Sequence, residues 1–107
     1  MALFKVRTEN IREVAILDSG EFFVGVEGGG DPDYQYVYRE AAGVYWDPEL
    51  RGFKSTEMKG WSASQWFMHI SAIVKSSMGV TLKLNNDTLW RNVPDAEKVE
   101  IERSGLA

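Results

Sequence analysis

Cysteine is absent from this 107-residue chain. That removes disulfide scaffolds, cysteine nucleophiles, thiolate zinc sites and iron–sulfur clusters together, and it fits a reducing compartment. Histidine is nearly absent: His69 stands alone, so a metal site built on two imidazoles cannot form within one chain. A Ser-His-Asp arrangement would have to use that residue, and no serine sits in a Gly-x-Ser-x-Gly setting. Long apolar runs are missing too. The longest, Trp66 to Val74, contains His69 and Ser71 and is far short of the roughly 20 residues a membrane span needs. Lys5, Arg7 and Glu9 break the start of the chain where an export signal would be apolar. A cytoplasmic protein with no membrane partner is expected.

Bases are scarcer than acids, and the imbalance is local. Residues 1 to 49 hold ten acidic side chains against four basic ones, and the rest of the chain holds six against eight. An acidic half repels phosphate and favours encounter with a basic partner, whereas a nucleic-acid binder carries a basic stripe. What is present is an ordinary globular composition, 44% hydrophobic and 26% charged, in a length that suits one domain over residues 1–107. There are no internal repeats.

Strand-forming stretches run from Leu3 to Arg7, from Val14 to Asp18 and, after the Ser19-Gly20 turn, through Phe22, Phe23, Val24 and Val26. Gly28-Gly29-Gly30-Asp31-Pro32-Asp33 ends that strand, because three glycines and a proline cannot sustain a ladder. Tyr34, Tyr36 and Tyr38 alternate with Gln35, Val37 and Arg39, and a two-residue period puts three tyrosines on one face of a strand. Ala41-Ala42-Gly43 then reverses the chain into Val44-Tyr45-Trp46, a hairpin of two aromatic strands, and Asp47-Pro48-Glu49 is a further turn. Gly52 to Met58 is read as another strand.

A helix from about 62 to 78 has the best local case. Ser62 or Ser64 caps it, Gly79 stops it, and Ala63, Trp66, Phe67, Ile73, Val74 and Met78 cluster around Ile70 on one arc. Val80 to Leu84 alternates strictly, Asn85-Asn86-Asp87 turns, and Thr88 to Val93 follows, which reads as a second hairpin. Lys98 to Glu102 alternates again and is read as a terminal strand. The expected fold is α+β: a mainly antiparallel sheet of six to eight short strands packed on one amphipathic helix.

No catalytic motif is complete. The glycines at 28 to 30 form neither Gly-x-Gly-x-x-Gly nor a Walker A sequence, and they lead into acidic residues where a phosphate cradle needs a helix N-terminus. Asp31 and Asp33 are separated by proline and lack an EF-hand pattern. No cofactor and no metal site are expected, and nothing singles out a carboxylate pair for acid–base work. His69 lies at the margin of the helix's apolar arc, the place of a boundary residue. The notable feature is aromatic: Tyr34, Tyr36, Tyr38, Tyr45, Trp46, Trp61, Trp66 and Trp90 offer large contact area at low entropic cost. Base-stacking sheets pair such rings with basic residues, and here Arg39 stands among Asp31, Asp33, Glu40, Asp47 and Glu49, so nucleic acid is not the expected partner.

Tyr36-Val37-Tyr38-Arg39-Glu40, then Val44-Tyr45-Trp46-Asp47-Pro48, then the helix ending Met78-Gly79-Val80 and its following strand, resemble the small α+β immunity proteins of bacterial toxin systems, over about residues 22 to 84. The resemblance implies an inhibitor that covers the active site or the substrate surface of a basic nuclease toxin. Independently of it, the residues themselves suggest a contact face of Asp31, Asp33, Tyr34, Tyr36, Tyr38, Glu40, Asp47 and Glu49, with the rings as anchors and the acids steering a basic protein partner. The expected protein is therefore a non-enzymatic, inhibitory binding module. A phage-encoded inhibitor of a nucleic-acid-binding defence complex and a structural or assembly factor are the alternatives. A small carboxylate-only enzyme ranks last.

Overall fold

The computed structural model describes residues 7–28, 32–40, 42–57 and 60–105. In chain order the elements are β1 (Arg7–Ile16), β2 (Glu21–Val26), a 3-10 helix (Pro32–Glu40), β3 (Val44–Asp47), β4 (Gly52–Glu57), α1 (Ala63–Met78), β5 (Val80–Lys83), β6 (Leu89–Arg91) and α2 (Asp95–Gly105). Six strands form one sheet in the order β3-β4-β2-β1-β5, with β6 also paired to β1. Three pairings are antiparallel (β1 with β2, β2 with β4, β3 with β4), and β1 runs parallel to both β5 and β6. The α+β expectation holds, and the sheet is mixed rather than purely antiparallel. Residues 3–6 of the first expected strand, and Met58, lie outside the described residues.

The expected second hairpin does not form. β5 pairs with Arg7 to Asn10 and β6 with Glu13 to Ala15, so both run in the same direction along β1, one after the other. The Asn85-Asn86-Asp87 turn is a sidestep and not a reversal. Asn85 Oδ1 accepts from the Asp87 amide at 2.7 Å, and Thr88 Oγ1 accepts from the Asn85 amide at 3.1 Å. Thr88 Oγ1 in turn donates to the Ile11 carbonyl at 2.7 Å, where the β1–β2 register shifts between Ile11 and Glu13. Beside this bulge, Ile11 falls between the stretches of β1 paired to β5 and to β6, and the Thr88 hydroxyl supplies the partner that its carbonyl lacks on that edge.

A second register shift lies in the β2–β4 pairing, between Glu21 and Phe23. Ser55 is fully buried there, and its Oγ accepts from the Phe22 amide at 2.8 Å. A buried hydroxyl is tolerated because it completes a backbone hydrogen bond that the irregular ladder cannot make.

The helix expected near 62–78 forms as read. Ser62 is its N-cap in a reciprocal capping box with Gln65, and Gly79 closes it in the left-handed region at φ 69°. Ala63, Trp66, Phe67, Ile70 and Val74 are buried on the sheet, with Ile73 and Met78 partly buried at the edges of the same arc. Ser64, the other candidate cap, is buried and donates to Glu100 Oε2 of α2 at 2.8 Å. The first turn of α1 contains no acidic residue. Glu97 and Glu100 of α2 bring carboxylates to that positive end instead, in agreement with the helix dipole.

α2 replaces the expected terminal strand. Its start carries Asp95 and Glu97, its last turn Arg103, and the Lys98 amide donates to the Pro94 carbonyl at 2.9 Å. The alternation of Val99 and Ile101 misleads, since Ile101 is fully buried and Val99 is 49% exposed.

Both helices and the 3-10 helix lie on the core side of the sheet, with Val14, Val24, Val26 and Phe53. The opposite side has its own small buried patch. Pairing sets Ala15, Phe23, Lys54 and Tyr45 side by side across β1, β2, β4 and β3, and Phe23 is 1% exposed. Its ring lies over two glycines: a Cβ at Gly25 would sit 2.9 Å from it, and one at Gly52 would overlap the ring and stand 2.6 Å from the Val24 carbonyl oxygen. Absent side chains make the space for the ring. Gly52→Ala is expected to cost about 1–3 kcal/mol as overpacking. Combining it with Phe23→Leu should cost less than the two single losses together, read from urea unfolding midpoints.

Candidate functional site

Of the eight residues expected to form one contact face, the described side chains do not all share one. Asp31 lies outside the described residues, as do the side chains of Asp33 and Glu40. Tyr34, Tyr36 and Tyr38 belong to a 3-10 helix and not a strand, and its period is three residues per turn. Tyr34 and Val37 form the inward column, 2% and 1% exposed. The Tyr34 ring meets Trp46 edge-on at 5.1 Å and Phe53 at 5.4 Å. Tyr36 and Arg39 form a second column, with the guanidinium 4.3 Å from the ring centre. Tyr38 stands on a third column, 52% exposed. One tyrosine is core, and the other two point in different outward directions.

The acids of the Asp47-Pro48-Glu49 turn do meet aromatic surface, on the side of the sheet away from the helices. A cavity of about 460 Å³ there is lined by Glu21, Tyr45, Trp46, Asp47, Pro48, Glu49 and Lys54. Asp47 ends β3 and holds its turn together. Oδ1 accepts from the amides of Glu49 at 2.9 Å and Leu50 at 3.0 Å, while Oδ2 pairs with Lys54 Nζ at 3.1 Å. The Leu50 amide, then Lys54 and the Glu49 amide, outweigh desolvation and hold the Asp47 carboxyl below its ordinary 3.8. Arg51 follows in the left-handed region at φ 56°, and the Arg12 guanidinium closes the turn by donating to the Leu50 carbonyl at 2.8 Å.

Lys54 Nζ also lies 3.8 Å from Glu21 Oε1, an oxygen that accepts from Ser19 Oγ at 2.8 Å. Tyr45 opposes Lys54 directly in the β3–β4 register and is 47% exposed. Among the described residues, three carboxylates, one ammonium and an open phenol ring therefore share the groove. Asp47 and Glu49 were legible as members. Tyr45, Lys54 and Glu21 were missed, although the alternation of Tyr45 with Trp46 and of Lys54 with Phe53 across the Asp47 turn carried the signal for two of them.

His69 has a structural position. Its Nε2–H donates to the Ala42 carbonyl at 2.8 Å, and its ring packs edge-on against Trp61 at 5.0 Å and Trp66 at 5.6 Å. Among the described residues no group of three or more histidine, aspartate or glutamate side chains is placed to hold a metal ion, and no helix is long and apolar enough to cross a membrane.

Fold and groove define a small α+β domain with a mixed sheet, helices on one side and an acidic, aromatic groove on the other. Residues 9–88 match the sequence profile of the family described as Integron Cassette Protein Hfx_Cass5, and the chain belongs to that family. It is also similar to a solved structure titled "Structure from the mobile metagenome of North West Arm Sewage Outfall: Integron Cassette Protein Hfx_Cass5". The two are 31% identical over 92% of this chain and 96% of that one, with a TM-score of 0.40. No curated protein matches the chain.

Membership of this family overturns the resemblance to toxin-immunity proteins, and with it the expectation of an inhibitor of a basic nuclease toxin. The physical reason is local. Tyr36 to Glu40, the first segment of the resemblance, is helical, so one strand of the strand order on which the likeness rested is missing.

Two outcomes follow from this geometry. Tyr34→Ala is expected to cost about 3–5 kcal/mol, as for other large buried rings, and Tyr36→Ala or Tyr38→Ala under about 1 kcal/mol, by thermal or urea unfolding. Asp47 has a folded pKa below its unfolded value, so its stabilisation is complete above the unfolded value and fades as pH falls through the folded one. Asp47→Asn should therefore lower the urea midpoint at pH 7, with a smaller difference from wild type at about pH 3.

Proposed function

We propose that this chain is a non-catalytic binding domain that receives a cationic surface of a protein partner at the groove around Tyr45. The observation that carries the reading is the joining of an exposed ring to three carboxylates, Glu21, Asp47 and Glu49, against one ammonium, in a cavity large enough for side chains. Rings of this kind anchor interfaces, and uncompensated charge steers the approach of the opposite sign. The chemistry of Asp47 speaks against one catalytic role, that of a general acid. Its carboxyl is held in the charged form and spends one oxygen on two amides of its own turn, whereas a general acid needs its proton near neutral pH.

The test is differential capture by immobilised full chain in extracts of the source cells. Wild type should retain a partner at about 0.05 M salt and release it at about 0.5 M, where surface charges are screened. Tyr45→Ser and Glu49→Lys should lose it, while Tyr36→Ser, on another face, keeps it. An identical set of retained proteins for wild type, Tyr45→Ser and Glu49→Lys would refute the assignment.

A further inference from the structure

The groove already contains a cation that belongs to the chain itself, and its placement is unequal. Lys54 Nζ is 3.1 Å from Asp47 Oδ2 and 3.8 Å from Glu21 Oε1. The other Asp47 oxygen is occupied by two amides, and Glu21 Oε1 already accepts from Ser19. One compact ammonium thus satisfies one carboxylate well and a second poorly, with the exposed Glu49 on the same wall. Tyr45 leaves its ring open directly opposite Lys54.

Resting on the reading that the groove receives a cationic protein surface, we propose that the partner's anchor is an arginine side chain and that Lys54 is the specificity-determining residue it displaces. A lysine from the partner would exchange one ammonium for an identical one and gain little. A guanidinium carries five N–H donors in a flat fork, which can serve Asp47 Oδ2, Glu21 and Glu49 together while its plane lies on the Tyr45 ring. Among the described residues, three carboxylates face one ammonium, which leaves the groove with the charge to accept it. The ring and the cavity add a surface on which a planar cation, more than a hydrated point charge, gains contact.

The test uses the full chain and two labelled probes, hexa-arginine and hexa-lysine, by fluorescence anisotropy at low salt. Hexa-arginine should bind wild type several-fold more tightly than hexa-lysine, and Tyr45→Ala should remove the difference. Lys54→Met should tighten hexa-arginine binding roughly tenfold. Lys54→Arg should weaken it below wild type, because a tethered guanidinium then fills the position. Lys54→Gln repeats the first substitution should the methionine variant fold poorly, as judged by its melting curve. Equal binding by wild type, Lys54→Met and Lys54→Arg, with Tyr45→Ala and Glu49→Gln still weakened, would overturn the displacement and leave the groove assignment standing. No binding of either probe to wild type or to Lys54→Met would overturn both.

Discussion

Thr88 Oγ1 gives its proton to the carbonyl of Ile11 at the one place where β1 changes partners, and much of the fold hangs on that bond. β1 pairs with β2 along one edge and, on the other, first with β5 and then with β6. A strand can hand over from one neighbour to the next only if the interrupted backbone groups find other partners. Thr88 supplies one, and Arg12 at the same bulge reaches the carbonyls of Val26 and Leu50. The bulge thereby connects the β5–β6 sidestep to the turn after β3, and so to the groove. Asp47 and Arg12 hold opposite sides of that turn, one through amides and the other through a carbonyl.

The two sides of the sheet solve burial differently. On the core side, α1 and the 3-10 helix cover Val24 and Phe53 with large side chains, and Tyr34, Trp46 and Phe53 pack ring against ring. On the other side a single ring, Phe23, is buried by the lack of Cβ atoms at Gly25 and Gly52 beneath it. That economy leaves the neighbouring positions free for charge. Lys54 can stand beside Phe23 without being buried, and Tyr45 beyond it remains open.

How much of this was legible in the sequence depends on whether local and tertiary periods agree. In α1 they agree: Ser62, Gly79 and the arc around Ile70 all describe the same helix. Over residues 34 to 38 they conflict, because alternate tyrosines satisfy a period of two while the fold buries Tyr34 and Val37, three apart. Val99 and Ile101 set the same trap in α2, where the carboxylates of Glu97 and Glu100 are drawn to the start of α1. The Asn85 turn has hairpin composition, and only the parallel partner β1, more than seventy residues earlier, decides that the chain goes straight on. Within the candidate site, Asp47 and Glu49 could be read from their turn. Glu21 could not, since it reaches the groove through Lys54, a contact made only across strands.

The sidestep at Asn85 to Thr88 also bears on the order in which this protein can be assembled. Thr88 is 77 residues from the carbonyl it completes, and Ser64 is 36 residues from the glutamate that receives its proton. Local elements such as α1 can flicker into existence early, but contacts of such sequence separation carry a loop-closure cost before they return anything. One edge of the first strand described is thus among the last to be secured. As the chain leaves the ribosome, β1 and β2 can form their hairpin at once, yet the other edge of β1 waits until residues 80–91 have emerged.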